Sequence, residues 1–211
     1  MDLSKLSRTL RDLFARIGQP SGFPDEWQLA ADLHVDESGW LEGDRVVQIR
    51  SHSSWFYPEL STASGDPGAI VWHASATPHG SAGNMARRRA VPRSPADRAA
   101  SWHISVEGNG DIVQMIPAEC GAWHAIGKIS GLGPANRTSA SIEIIGFERG
   151  PFPEAQVVGC ARVARALVRS YGIPRSLANV SHASIDPDRR TDPGKLWLRD
   201  HAPHVMEYAF T

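Results

Sequence analysis

Apolar and polar residues alternate with more than one period along this chain. Leu3, Leu6, Leu10, Leu13 and Ile17 recur at helical spacing, so MDLSKLSRTLRDLFARIG predicts a short amphipathic helix. QPSGFP (Gln19 to Pro24) breaks it, and DEWQLAADLH predicts a second short helix. Arg45 to Arg50 alternates as a strand does. STASGDPG (Ser61 to Gly68) is a loop, and Ala69 to His73 reads as a buried strand with a polar residue at its C-terminal end. A Pro/Arg/Ser-rich segment then runs to Ser101, with a helical turn predicted over Met85 to Arg89. Ile104 and Val106 precede, and Ile112, Val113, Met115 and Ile116 follow, the stretch Glu107 to Gly110; this predicts a hairpin turning at Asn109-Gly110. After an irregular, Gly-rich stretch from Ala122 to Arg137, Ser141 to Ile145 predicts another strand. Val157, Ala161, Ala164, Val168 and Tyr171 form the apolar face of a helix from Pro153 to Tyr171, with proline in its first turn and Gly172 as its stop. Leu177 to Ser181 predicts the last strand. Strands interleaved with one long helix and irregular loops predict an α/β domain built on a mixed central β-sheet flanked by helices.

Composition narrows the function classes. The 211 residues suffice for one good-sized domain, or a domain with an extension. A net charge of −1 gives no electrostatic case for nucleic acid or for an anionic membrane. No apolar run approaches the ~18–20 residues that a bilayer span needs. Arg8, Arg11, Asp12 and Arg16 interrupt any apolar core at the N-terminus, which excludes a signal peptide there. A protein made and retained in the cytoplasm is therefore expected, unless lysis or a dedicated export route releases it to the cell wall. Cys120 and Cys160 read as packing thiols, and seven tryptophans with 15 prolines point weakly to sugar or peptide binding.

Three residues just beyond predicted strands, or in the loop that follows one, carry metal-ligand chemistry: His73, His182 and Asp192. Two imidazoles and a carboxylate, with one position left for water, make a catalytic-zinc ligand set. Strand ends suit such a set because neighbouring strands hold their side chains in a rigid frame. Each histidine alone also reads as a satisfied structural residue; the combination is what points to a metal.

Five blocks carry a family resemblance. IVWHASAT (Ile70 to Thr77), ASWHISVEGNGDIVQMIP (Ala100 to Pro117), AWHAIG (Ala122 to Gly127), SASIEIIG (Ser139 to Gly146) and SHASIDPDRRTDPG (Ser181 to Gly194) occur in that order. Together they resemble the zinc-dependent N-acetylmuramoyl-L-alanine amidases, which include amidase-type phage lysozymes, the cytoplasmic amidase of cell-wall recycling and the peptidoglycan recognition proteins. The resemblance implies an amidase-like α/β fold over residues 41–211, with residues 1–40 as an N-terminal helical extension. It implies one zinc ion on His73, His182 and Asp192. It puts Glu143 where catalytic members carry an inner-strand glutamate, and Arg190 where a catalytic lysine is usual. Trp102, which stands where many members have tyrosine, is read with Trp123 and His124, which match residues that line the substrate cleft, as substrate-binding.

Two of these positions depart from the pattern. Arg190 keeps a positive charge but cannot donate a proton at ordinary pH, and Trp102 lacks the phenol. On their own, Glu143 also reads as a structural strand carboxylate, Arg190 as a solvated loop charge, and Trp123 and His124 as loop anchors. The implied activity is hydrolysis of the amide between N-acetylmuramic acid and L-alanine, in peptidoglycan or its muropeptide fragments. The alternative is a non-catalytic peptidoglycan-binding module of the same fold.

Overall fold

The segment SASIEI turns Ser139, Ser141 and Glu143 to one side of a strand and Ala140, Ile142 and Ile144 to the other. The sheet is built around this strand. The computed structural model describes residues 32–97 and 100–211. Its central sheet has six strands: β1 (Val46–Gln48), β2 (Ala69–Ala74), β3 (Ile104–Val106), β4 (Ile112–Gln114), β5 (Ser139–Ile144) and β6 (Val180–Ser181). Their order is β6-β2-β5-β3-β4-β1. Every neighbouring pair is parallel except the β3–β4 hairpin, so the sheet is mixed, as the pattern predicts. Among the described residues five α-helices accompany it: α1 (Ala82–Arg89), α2 (Glu154–Tyr171), α3 (His182–Ile185), α4 (Lys195–Asp200) and α5 (Ala202–Ala209). Leu33–Thr211 forms one compact unit. None of its helices is long and apolar enough to cross a membrane.

The two faces of the sheet do different work. Ile70, Trp72, Ile104, Val106, Ile142 and Ile144 are fully buried and form the apolar face. The Trp72 ring meets Trp197 of α4 at 5.5 Å, and α2 packs on α5. The buried Gln156 side chain of α2 donates to the carbonyls of Val106 and Ile145 at 2.8 and 2.7 Å, clasping the helix to two strand ends. A Cβ on Gly159 would stand 2.8 Å from Val106 Cγ1, so this close approach requires glycine. On the opposite face, Ala69 and Val71 pack against Ala125, Ile129 and Ala135, which lays the irregular 123–137 segment over the sheet beside β2.

Several expectations change in detail. The strand predicted over Leu177–Ser181 shrinks to Val180–Ser181. The Pro174 carbonyl accepts the amides of Leu177 and Ala178 at 2.8 and 3.0 Å, which turns the chain there. The turn predicted over Met85–Arg89 is instead a full helix from Ala82. Its N-terminus is capped from outside by Glu107, whose carboxylate accepts from the amides of Gly80 and Ala82, both at 2.7 Å. Pro153 stands one residue before the helix it was expected to open, and Gly172 ends that helix in the left-handed conformation. Both cysteines are free thiols. The first predicted helix lies outside the described residues, as does most of the second. His34, at the end of the second, belongs to a short ladder pairing His34–Val35 with Leu41–Glu42.

Candidate metal centre

Register brings the polar residues of the sheet together. β5 pairs with β2 so that Glu143 lies beside His73, and with β3 so that Glu143 lies beside Ser105. Both pairings put the side chains on the face opposite α2. β6 then runs alongside β2, with Val180 against Val71 and Ser181 against Trp72, and delivers His182 as the first residue of α3. Ser181 caps α3, its hydroxyl accepting from the Ser184 amide at 3.1 Å.

The return from His182 to Asp192 is closed by main-chain bonds. Arg190 N–H donates to Asp186 O at 2.9 Å, Asp186 N–H to His182 O at 3.0 Å, and Ala183 N–H to Asp192 O at 3.0 Å. Gly194, at φ +96°, follows the ligand loop; a Cβ there would run into the Glu148 backbone. The Thr191 hydroxyl donates to the Glu148 carboxylate at 2.6 Å, which anchors the same corner.

The result is a buried convergence of three donor atoms. His73 Nδ1 lies 3.0 Å from His182 Nδ1, and Asp192 Oδ2 lies 3.2 Å from the first and 3.0 Å from the second. His73, His182 and Asp192 are 2%, 4% and 7% exposed. One ion can be held by all three. Burial lowers the His73 pKa, only partly opposed by its close contact with Asp192, and so favours the neutral ring. Burial works to raise the Asp192 pKa, but the close approach of the His182 and His73 rings prevails and holds it well below the usual carboxylate range.

Around this point stand the other predicted residues. Burial first, and then the Asp192 charge, push the Glu143 carboxyl up to about 8, with Arg89 and Arg190 opposing. Its Oε2 is enclosed and has no hydrogen-bond partner. A raised pKa and an unpaired buried oxygen beside three possible metal ligands mark Glu143 as a candidate functional residue. Arg190 is exposed, and its charge acts on both Glu143 and His73.

Trp102 is buried rather than open to the cleft. Its indole N–H donates to the Ser105 hydroxyl at 2.6 Å, and the Arg89 guanidinium covers its ring at 4.1 Å. Trp123 is half-buried between Tyr57 and Arg93, with its indole nitrogen unpartnered. His124 spends both ring nitrogens on the protein: Nδ1 lies 3.1 Å from His73 Nε2, and Nε2 lies 3.3 Å from Ser139 Oγ. Burial and then the neighbouring His73, His103 and His182 hold its pKa well below normal.

His103 is a structural residue. It accepts the Ser141 amide at Nδ1, 2.9 Å, and reaches the Cys120 carbonyl through Nε2 at 2.9 Å; burial lowers its pKa to about 4. Sequence reasoning missed Ser139 and Ser141, the small hydroxyls that make room for and bond the His124 and His103 rings. Their signal was the alternation in SASIEI, with small polar residues on the face that carries Glu143.

Comparison with known proteins meets this geometry. The family model described as N-acetylmuramoyl-L-alanine amidase matches residues 63–195. The 1,6-anhydro-N-acetylmuramyl-L-alanine amidase AmpD of Salmonella typhimurium is 38% identical over 106 residues, 48% of this chain and 56% of that protein. AmpD of Escherichia coli is 37% identical over 103 residues, 47% and 55% of the two chains. The N-acetylmuramoyl-L-alanine amidase AmiD of Escherichia coli is 34% identical over 119 residues, 48% and 42% of the two. The chain spans about half the length of the curated relatives it matches. Among solved structures, a selenomethionine AmpD crystal structure superposes with a TM-score of 0.65 at 24% identity, over 84% of this chain and 99% of that one. A mutant endolysin from Bacillus subtilis gives 0.56 at 24% identity, over 78% and 97%. These two likenesses establish a shared fold.

Proposed function

The chain belongs to the N-acetylmuramoyl-L-alanine amidase family, and on that premise we propose that it hydrolyses the amide between N-acetylmuramic acid and L-alanine in muropeptides, with one zinc ion as cofactor. The observation that carries the proposal is the convergence of His73, His182 and Asp192 beside the unpartnered Glu143 oxygen. The donor set fits zinc. Zinc–ligand lengths of about 2.0–2.2 Å in a tetrahedron separate two ligand atoms by roughly 3.3–3.6 Å, and the donor atoms here stand 3.0–3.2 Å apart, so a spread of a few tenths of an ångström would seat the ion. When bound, zinc supplies Lewis acidity at the scissile carbonyl and its attacking water.

The remaining steps belong to the chain's own residues. Glu143, poised near neutral pH, takes a proton from the attacking water and returns it to the departing amine of L-alanine. Arg190 supplies fixed positive charge for the oxygen that becomes negative as the carbonyl is attacked. It does so as a cation alone, because a guanidinium does not release its proton. The half-buried Trp123 ring is the aromatic surface assigned to the sugar or stem peptide. Trp102 serves the site from below, holding Ser105 next to Glu143. We assign this machinery to residues 41–211, with residues 1–40 as an extension. The relatives named for 1,6-anhydro-N-acetylmuramyl-L-alanine favour soluble fragments over the polymer, which would fit a cytoplasmic role.

Mass spectrometry of defined muropeptides, monomeric and polymeric, after incubation with zinc-loaded protein tests this reading. Release of free stem peptide beginning at L-alanine is expected, faster from the fragment. Intact substrate that co-elutes with the protein would replace the enzyme by a binding module.

A further inference from the structure

We infer that His124 is a positioning residue for the first metal ligand: through a one-way hydrogen-bond chain it holds the His73 proton on Nε2 and turns the bare Nδ1 lone pair toward His182 and Asp192. The inference rests on reading those three residues as the metal site.

The chain leaves the site on the side of His73 away from the other two ligands. His73 Nε2 meets His124 Nδ1 at 3.1 Å, His124 Nε2 meets Ser139 Oγ at 3.3 Å, and Ser139 Oγ donates to the Ala135 carbonyl at 2.8 Å. A carbonyl has no proton to give, so the last bond runs in one direction only. Ser139 has a single hydroxyl hydrogen, and it is spent on Ala135. Toward His124 it therefore offers a lone pair, and His124 must present Nε2–H. A neutral imidazole with its proton on Nε2 is an acceptor at Nδ1. His73 must then donate from Nε2, which leaves its Nδ1 bare.

The arrangement has a competitor to overcome. Asp192 Oδ2 lies 3.2 Å from His73 Nδ1. A carboxylate is a stronger acceptor than a neutral group, so with no partner on the far side it would draw the His73 proton onto Nδ1. That tautomer blocks the ligand atom. His124 offers the proton a better-placed acceptor on the other nitrogen. Its own position is fixed: its backbone amide and that of Ala125 both donate to Asn136 Oδ1 at 2.8 Å. Ala125 and Ala135, at the two ends of the hydrogen-bonded segment, pack on Ala69 and Val71 of β2, the strand that carries His73. The two rings meet edge to face, with centroids 5.2 Å apart.

The test uses the full chain. In zinc-free wild-type protein, long-range proton–nitrogen correlation of the histidine rings is expected to show His73 protonated at Nε2; a proton on Nδ1 would overturn the inference. Competition with a chromophoric zinc chelator then reads affinity. His124→Leu removes the acceptor and is expected to weaken zinc binding about 10- to 100-fold, whereas His124→Asn, whose Oδ1 replaces Nδ1, recovers most of it. Unchanged zinc affinity in a folded His124→Leu protein would also sink the idea. Should that variant not fold, the wild-type tautomer decides alone. Wild-type protein that takes up no zinc would instead remove the functional reading, an outcome distinct from either of these.

Discussion

Glu143 stands beside His73 on the neighbouring strand, and burial shifts its carboxyl from 4.5 to about 8. The sign of the resulting pH dependence follows from linkage. The unfolded chain gives up this proton near its ordinary value, while the metal-free folded chain keeps it until about pH 8. The folded state therefore loses stability as pH rises through that window, and the loss is complete above it. Glu143→Gln has no such proton. Thermal melts of the two zinc-free proteins across this range should show the Gln variant gaining on the wild type as pH rises, up to about pH 8; parallel profiles would place the shifted proton elsewhere. The same substitution should keep zinc and lower kcat by about 10²- to 10⁴-fold, the usual contribution of a general base. Unchanged turnover would strip Glu143 of that role.

At the scale of elements, α2 joins the sheet closely where Gly159 passes over Val106 and Gly110. Gly159→Ala should lower the urea midpoint by an amount worth roughly 1–3 kcal/mol, the cost of overpacking a filled core, without changing the slope. A midpoint that does not move would mean the helix can step back. Much of this level was legible in the sequence, because helices and strands write their periods into the chain: the apolar face and Gly172 stop of α2, the Asn109-Gly110 hairpin and the alternation of β5 all follow local rules. The His73, His182 and Asp192 positions could be read as candidate ligands for the same reason, standing at or just after strand ends. What could not be read depends on partners distant in sequence. The Glu107 cap that lengthens α1 and the Ser139 hydroxyl behind His124 are properties of the assembled sheet. The Leu177–Asn179 segment has β-forming neighbours, but a proline three residues upstream captures its amides. Trp102 shows the same limit: its sequence position pointed to the cleft, while Ser105 and Arg89 draw it inward.

Across the whole molecule, the candidate metal site ties β2 to the C-terminal ligand loop, stretches of chain that have no reason to meet in the unfolded state. Zinc binding to the folded chain alone should stabilise it by about 2.7 kcal/mol at a free concentration one hundred times Kd. Scanning calorimetry should therefore show Tm rising with zinc and falling back with a chelator, and His182→Ala should abolish the response. A zinc-induced rise that survives that substitution would move the ion away from these residues. The ligand loop also has a consequence for how such a protein can change over generations. Its neck is closed by main-chain atoms, Ala183 to Asp192 and Arg190 to Asp186, while the side chains of Pro187, Asp188 and Arg189 at its tip face solvent. Residues at the tip can be exchanged without unseating either ligand. The loop thus separates the backbone that holds the ligands from a solvent-facing tip, and selection, natural or in the laboratory, can vary that tip while the ligand positions stay where they are.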